Sequence, residues 1–417
     1  MIYFMYDVII IGSGASGLFL AANLSGLKVL VLEKNDRPGK KILITGGGMC
    51  NLTNCDDNET FLTHFTNKKQ SNFLKPALSA FSTSQTQNWF EEHGLALVVR
   101  EDGKVFPQSL RAQSVVDLLF SASQRNGAQY KFNERVSTIK QTDSGFSVST
   151  GKETYVARAV VLATGGMSYS TTGSTGDGYV LAKELGHTIV PPTPGLVGVT
   201  IQNYPFVELA GNSIRKTLID FTHKGEPKRY LRAQGDLLFT HNGLSGPVIL
   251  NNARYIQKGD ILAVSLIPTE NKEIAKQELR TFIQDNPKKQ VYTLIKGLGL
   301  FSSLALKLLD SQGIGKTDTC ANLSKEKRLN LITDLVDFSF EVSAKNSFSS
   351  AMVTVGGLCL DQFDRRTLES RLVPGFYAAG EVLDLDGDTG GYNLQTAFST
   401  AMLIAKALKI SCKKTTE

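Results

Sequence analysis

The stretch YDVIIIGSGASGLFLAANLSGLKVLVLE, residues 6–33, constrains the fold more than any other part of the chain. Residues 6–11, apart from Asp7, are an apolar, β-branched run, the pattern of a strand buried on both faces. Gly12-Ser13-Gly14-Ala15-Ser16-Gly17 follows, then a helix over LFLAANLSG closing at Gly26, then a second buried strand, KVLVLE, ending at Glu33. Two parallel strands need such a crossover, so the stretch reads as a βαβ unit. A G-x-G-x-x-G loop between strand and helix, with an acid 21 positions after Gly12, is the dinucleotide fingerprint. Each residue has a physical task. Gly12 permits the tight turn, Gly14 lets the main chain approach a pyrophosphate, and Gly17 lets the helix pack close to the strand. The helix start offers N–H groups and partial positive charge to phosphate. Glu33 offers acceptors to both hydroxyls of an adenosine ribose.

The fingerprint alone does not choose between NAD and FAD. AVVLATGG (159–166) is a strand ending in small residues, and GFYAAGEVLD (375–384) is another, followed by Glu381 and Asp384. A cofactor that touches residues near 12, 33, 46, 165, 381 and 393 is long, and FAD suits that length better than NAD. A second glycine turn, LITGGGMCNLTN (43–54), points the same way. Gly46, Gly47 and Gly48 lack Cβ atoms, so the main chain can press against a flat ring or a diphosphate. Lys40 and Lys41 offset phosphate charge there, and Asn51, Thr53 and Asn54 can hydrogen-bond polar atoms. Gly390-Gly391-Tyr392-Asn393-Leu394-Gln395 then leads into the last helix. Backbone N–H groups of 393–395 at that helix start are expected to face the N1/O2 edge of a flavin and stabilise its reduced form.

At 417 residues the chain calls for more than one core. The reading is α/β, with a doubly wound, Rossmann-like FAD-binding domain formed by residues 1–193 and 353–417. A β-rich domain, 194–268 with 335–352, is inserted, and it carries a helical subdomain over 269–334. The Pro191–Gly195 run marks the first boundary. The net charge is +6, with Lys and Arg spread along the chain apart from Cys412-Lys413-Lys414, so no nucleic-acid partner is expected. No window approaches eighteen apolar residues and MIYFMYDVIIIG lacks a cleavage site, so neither a membrane partner nor export is expected. Five scattered cysteines fit a reducing cytoplasm. The sequence does not fix an oligomeric state.

GSGASGLFLA, KKILITGGGMCNLTN, VVLATGG, LLFTHNGLSGP and GFYAAGEVLDLDGDTGGYNLQTAFSTA together resemble the bacterial BaiN/RdsA-type flavoproteins, from residue 6 to about 408. The resemblance implies an FAD-dependent oxidoreductase that moves a hydride between flavin N5 and a small organic substrate. The direction is either NAD(P)H-dependent reduction of an activated C=C or oxidation of a small amine such as aminoacetone. An inserted β-rich domain covers the isoalloxazine ring in that family. The cofactor-binding set it implies starts with Gly12, Ser13, Gly14, Ala15, Ser16, Gly17, Glu33 and Lys34. It continues through Lys41, Gly46, Gly47, Gly48, Cys50, Asn51, Val136, Ala163, Thr164, Gly165 and Gly166. It ends with Gly380, Glu381, Asp384, Gly391, Tyr392, Asn393, Leu394 and Gln395. Position 49 is Met, where relatives often carry Arg.

Rival readings are a thiol–disulfide flavoenzyme using Cys50 and Cys55, spaced C-x4-C, and a flavin-binding redox sensor without turnover. Against the disulfide, no His follows His241 and no second dinucleotide fold is evident. Gly297-Leu298-Gly299 lacks a third glycine and reads as the turn of a helical pair. NAD(P)H, if used, binds transiently. His241, in LLFTHNGLSGP, is the catalytic acid/base candidate. Asp177 reads as a helix N-cap, with Thr175 beside it, and His187 as structural. His64, His93 and His223 have no surrounding motif, and no metal-ligand spacing is present.

Overall fold

The computed structural model describes residues 5–65 and 67–414; residues 1–4 and the side chains of the Cys412-Lys413-Lys414 tail lie outside that description. The chain divides into two compact units, residues 1–195 with 348–417 and residues 196–347.

The first unit is built on a seven-stranded sheet. Met5–Ile11 lies between Val29–Glu33 and Thr154–Leu162, parallel to both, with Ile10 opposite Val31 and Val161. Gln129–Phe132 and Phe376–Ala378 extend the parallel set, and the antiparallel strands Val136–Thr142 and Gly145–Thr150 complete the sheet. Burial of Val8 through Ile11 and Val29 through Leu32 explains why both runs are uniformly apolar. The first helix spans Ala15–Ala21, starting and ending earlier than the apolar run LFLAANLSG suggests. The glycine loop itself supplies its first turn, through the Leu18 N–H bonded to the Gly14 carbonyl at 2.9 Å. Phe19 on this helix packs on Trp89 and Phe398, with ring centroids 4.8 and 4.9 Å away. The last helix, Tyr392–Lys414, is thereby held against the fingerprint.

The second unit is a closed barrel of six strands. In order around it are Val199–Ile201, Gly243–Ser245, Arg229–Phe239, Ser213–Thr222, Ile261–Val264 and Phe338–Lys345. Helices Lys272–Asp285, Val291–Lys296, Ser302–Ser311 and Lys325–Asp337 share one apolar core with it, in which Leu279, Leu304 and Leu331 meet the barrel's Phe239 and Phe340. Residues 269–334 are therefore part of the barrel unit. Gly297–Gly299 turns between two of its helices, as its sequence suggests. The unit boundaries fall at 195/196 and 347/348 because Ile189–Gly195 pairs antiparallel with Val353–Leu358 inside the first unit. No helix among the described residues is long and apolar enough to cross a membrane.

One buried charge ties the helices to the barrel. Lys272, only 4% exposed, sits 3.0 Å from Asp220 and 2.9 Å from Asp337 and donates to the Ala263 carbonyl. Replacing a buried cation leaves desolvated carboxylates facing one another. Lys272→Met is expected to lower the stability of this unit by up to about 3 kcal/mol. Arg232 and Lys276 still bind the two acids, which sets that ceiling. A urea midpoint unchanged from wild type contradicts this account.

Candidate functional site

The glycine fingerprint is set by close backbone contact. A Cβ on Gly12, whose φ is +100°, would lie 2.6 Å from the Ala163 carbonyl oxygen, and one on Gly17 would lie 2.0 Å from the Gly12 carbonyl oxygen. Neither position admits a side chain. At Gly14 nothing lies within 4 Å of the Cβ position, so open space stands over the helix start. Glu33 turns into the loop. Its Oε2 accepts from the Ser13 N–H (2.8 Å) and hydroxyl (2.7 Å), and its Oε1 from the Asn35 N–H (2.8 Å) and Nδ2 (2.7 Å).

A single cavity runs from this acid along the first unit, and all the residues that line it belong to that unit. At one end are Ser13, Glu33, Lys34, Val136 and Arg135. Gly12, Gly14, Ala15 and Ser16 line its middle with Ala163, Thr164 and Gly165. Lys41, Glu381, Asn393 and Leu394 line the remainder. Two ionic clusters edge it. Lys34 donates to Asp177 (2.8 Å) and Thr175 (2.6 Å), and Arg135 grips the same carboxylate at 2.9 and 3.2 Å. Asp177 is thus the first residue of its helix, and Gly176 occupies the N-cap position; the acid serves an ion pair instead of the cap expected of it. Burial raises the Asp177 carboxyl, but hydrogen bonds from Lys34 and Arg135 outweigh it and hold the group below the usual carboxylate range. The second cluster joins Lys41 to Glu381 (2.6 Å) and to Ser168, which itself donates to Glu381 at 2.5 Å. The Thr354 N–H donates to the same carboxylate at 2.9 Å.

Other expected site residues stand behind the cavity wall. Gly166 and Gly380 are where a Cβ would meet Thr354 Oγ1 and Ser16 Oγ, each at 2.2 Å, and Gly391 abuts the Thr53 main chain at 2.5 Å. Gly17 packs helix on strand. In the second glycine turn, Gly46, Gly47 and Gly48 all have positive φ, and Gly46 crowds the Asn51 N–H at 2.9 Å. The turn's share of the cavity is Lys40, Lys41, Ile42 and Thr45; Gly46 to Gly48, Cys50 and Asn51 do not line it. The turn does adjoin the last helix. Thr53 donates to the Gln395 side chain at 2.6 Å, and Asn54 to the Gly390 carbonyl at 3.3 Å. Gln395 is fully buried, and its N–H bonds to the Gly391 carbonyl, so it is a tie in the fold and its N–H is not a free donor. Tyr392 donates to Asp56 at 2.7 Å and stacks on His64, turned away from the cavity. Asp384 is also outside it, its carboxyl pushed up by burial. His241 is exposed in the turn between two barrel strands, in the other unit. His187 is buried and bonded to Ser370 at 2.8 Å.

Residues not singled out from the sequence include Asn35, Arg135 and Thr396, which line the cavity, and Ser168 and Thr354, which bind Glu381. Asn35 carried a signal, following the fingerprint acid by two positions. Ser168 and Thr354 meet only through tertiary packing and carried none. Cys50 is fully buried at φ +61°, with its thiol pushed up to about 12 by burial, while Cys55 is exposed; both are free thiols. A neutral, enclosed thiol is a poor nucleophile. Native protein treated with a maleimide at pH 8 is therefore expected to label Cys55 and spare Cys50 until the chain is unfolded. Peptide mapping checks this, and native labelling of Cys50 revives the disulfide reading.

The model of the HI0933-like protein Rossmann domain matches residues 6–407. The ribosomal RNA dihydrouridine synthase of Escherichia coli (strain K12) is 30% identical over 419 residues, covering 97% of this chain and 98% of that protein. The protein of the same name from Haemophilus influenzae is 32% identical, with 97% and 98% covered. The 3-dehydro-bile acid delta(4,6)-reductase of Clostridium scindens is 30% identical, with 95% and 98% covered. Among solved structures, the 3-ketosteroid-delta4-(5alpha)-dehydrogenase of Rhodococcus jostii RHA1 superposes with a TM-score of 0.51 at 16% identity, covering 96% of this chain and 97% of that one. At that identity the likeness speaks for the fold. The chain belongs to the HI0933-like family and is an FAD-dependent oxidoreductase of Rossmann fold.

Proposed function

We propose that the chain holds FAD in this cavity and reduces a carbon–carbon double bond conjugated to a carbonyl, the uracil ring of an RNA being the substrate and a reduced nicotinamide the electron source. The carrying observation is the one continuous cavity that joins Glu33, the glycine fingerprint, Lys41, Glu381 and the start of the last helix. Its residues fit the group: open space over Gly14, with Glu33, Lys41 and the start of the last helix all in its lining. The reductive direction is supported by chemistry common to the relatives' names. Making dihydrouridine saturates a bond conjugated to a ring carbonyl, and a 3-dehydro-bile acid delta(4,6)-reductase acts on a dienone.

FAD held there would supply the hydride that the carbon β to the carbonyl accepts, with a hydride from the nicotinamide replacing it, while the α carbon takes a proton. Glu33 keeps its backbone donors, while ribose hydroxyls replace the Ser13 and Asn35 side chains as donors. The first helix start faces the phosphates with Lys41 as their counter-charge. In the 23-residue last helix the Gln395 N–H is already used, so the groups before it favour negative charge on the reduced ring. His241 is the proposed proton donor to the α carbon.

Anaerobic mixing tests the reading. NADPH or NADH should bleach the visible flavin band, and a uridine-containing ribosomal RNA fragment should restore it with one dihydrouridine formed per flavin. Bleaching by aminoacetone in place of nicotinamide would make the chain an oxidase, and silence with every donor would make it a sensor. Glu33→Gln is expected to weaken FAD binding about tenfold, the loss of one charge-assisted hydrogen bond. His241→Gln should keep the flavin band and lower turnover at least about a hundredfold; undiminished turnover removes it from the mechanism.

A further inference from the structure

The chain's positive charge is not spread out. Residues 213–258 hold eight Lys and Arg against three Asp and Glu, while the rest of the chain holds 37 against 36. Five of the six net charges therefore sit in one hairpin of the barrel, Ser213–Thr222 with Arg229–Phe239, and the segment that follows it. We propose that this hairpin and the 254–258 turn form the surface on which the phosphate backbone of an RNA docks. The inference rests on the RNA reading above.

Local structure keeps these cations presented to solvent. The strand pairing shifts between Ile214 and Thr217, and Lys216 has φ +52°, so two successive residues, Arg215 and Lys216, are both exposed. Such a bulge departs from the strand's alternation of faces. At the other end the connecting turn carries Lys224 and Lys228. It is braced against the 257–260 turn by Asp260, which is 2% exposed. This acid binds His223 Nδ1 at 2.9 Å, accepts from the Tyr230 hydroxyl at 2.8 Å and takes the Gln257 N–H at 2.9 Å. The His223 and Tyr230 rings stack 4.1 Å apart at 16°. Lys258 and exposed Tyr255 are thereby held beside the hairpin.

The stretch's own three acids leave it a net charge of +5. Asp220 is taken by Arg232 (2.6 and 2.8 Å) and Lys272, and Asp236 accepts the Lys216 N–H at 3.1 Å. Glu226 is exposed in the turn, and Lys224 pairs with Glu341 at 2.5 Å. Arg215, Lys216, Lys228 and Lys258 have no carboxylate partner among the described residues. Exposed cations strung along a hairpin match a backbone that repeats negative charge at short intervals, and release its counterions.

The test uses the FAD-loaded full chain and a fluorescein-labelled, uridine-containing ribosomal RNA stem-loop, titrated at several salt concentrations. The variant R215Q/K216Q/K228Q/K258Q changes only exposed side chains. A control, K131Q/K140Q/K183Q/K325Q, removes four exposed lysines elsewhere. The hairpin variant should bind at least about tenfold more weakly, with a salt slope smaller by about three, while the control keeps both values. Its flavin spectrum and its reduction of a small cyclic enone should match wild type. Wild-type binding with an unchanged slope in the hairpin variant, or an equal loss in the control, overturns this surface alone. Enone reduction by a wild-type enzyme that binds no RNA overturns the RNA substrate, and this surface with it.

Discussion

The main chain at Gly12 runs so close to the main chain at Ala163 and Thr164 that neither admits anything larger than hydrogen between them. Three consequences depend on that approach. The first helix starts directly after the end of the inner strand Met5–Ile11, with open space over Gly14. Glu33, at the end of the neighbouring strand, is near enough to cap the loop through Ser13. Small residues at 163–165 then continue the floor of the cavity beneath the loop. A methyl group at Gly12 or Gly17 pushes these parts apart, so the fingerprint is a packing requirement before it is a ligand requirement.

What was legible in the sequence follows from this local character. Residues 6–33 could be read as strand, loop, helix and strand because the burial pattern and the glycine spacing lie within one short segment. The Asp102-Gly103 pair carries a signal of the same local kind, and the structure has a hairpin there, with Gly103 at φ +76°. The part played by the second glycine turn was not. Three glycines without Cβ atoms invite the idea of a flat surface against a ring, yet their positive φ angles and the crowding at Gly46 are met by the turn's own geometry. Glycine in a sequence does not distinguish a backbone that must bend from one that must be approached. Likewise Asp177 has the position of a cap, and only the fold brings Lys34 and Arg135 from elsewhere in the chain to claim it.

Charge was the hardest property to read along the chain. In 213–258 the cations come singly or as the pairs Arg215-Lys216 and Lys228-Arg229, spaced along the segment, so no long run of like charge appears. The asymmetry lies mainly in added bases, eight Lys and Arg against three acids, and it shows only when charge is counted over the whole segment. Strand pairing then brings the two arms of the hairpin together, with Thr222 opposite Arg229 and Asp220 opposite Arg232. A long-range field depends on this net density and not on any single pair.

The cluster of Lys41, Ser168, Glu381 and Thr354 shows how the two halves of the first unit are kept in register. Lys41 precedes the second glycine turn, Ser168 follows the strand floor, and Thr354 and Glu381 come from segments after the barrel in sequence. An ion pair that is about one-fifth exposed gains more than a surface pair but loses water on both sides. Its partners must all be present for it to be favourable. Insertion of the barrel between residues 195 and 348 therefore puts a condition on folding: Thr354 and Glu381 must return to Lys41 and Ser168 after 152 intervening residues. The antiparallel pairing of Ile189–Gly195 with Val353–Leu358 meets that condition at the root of the insertion, because it fixes Thr354 opposite Pro194 and so shortens the loop that the more distant contacts must close.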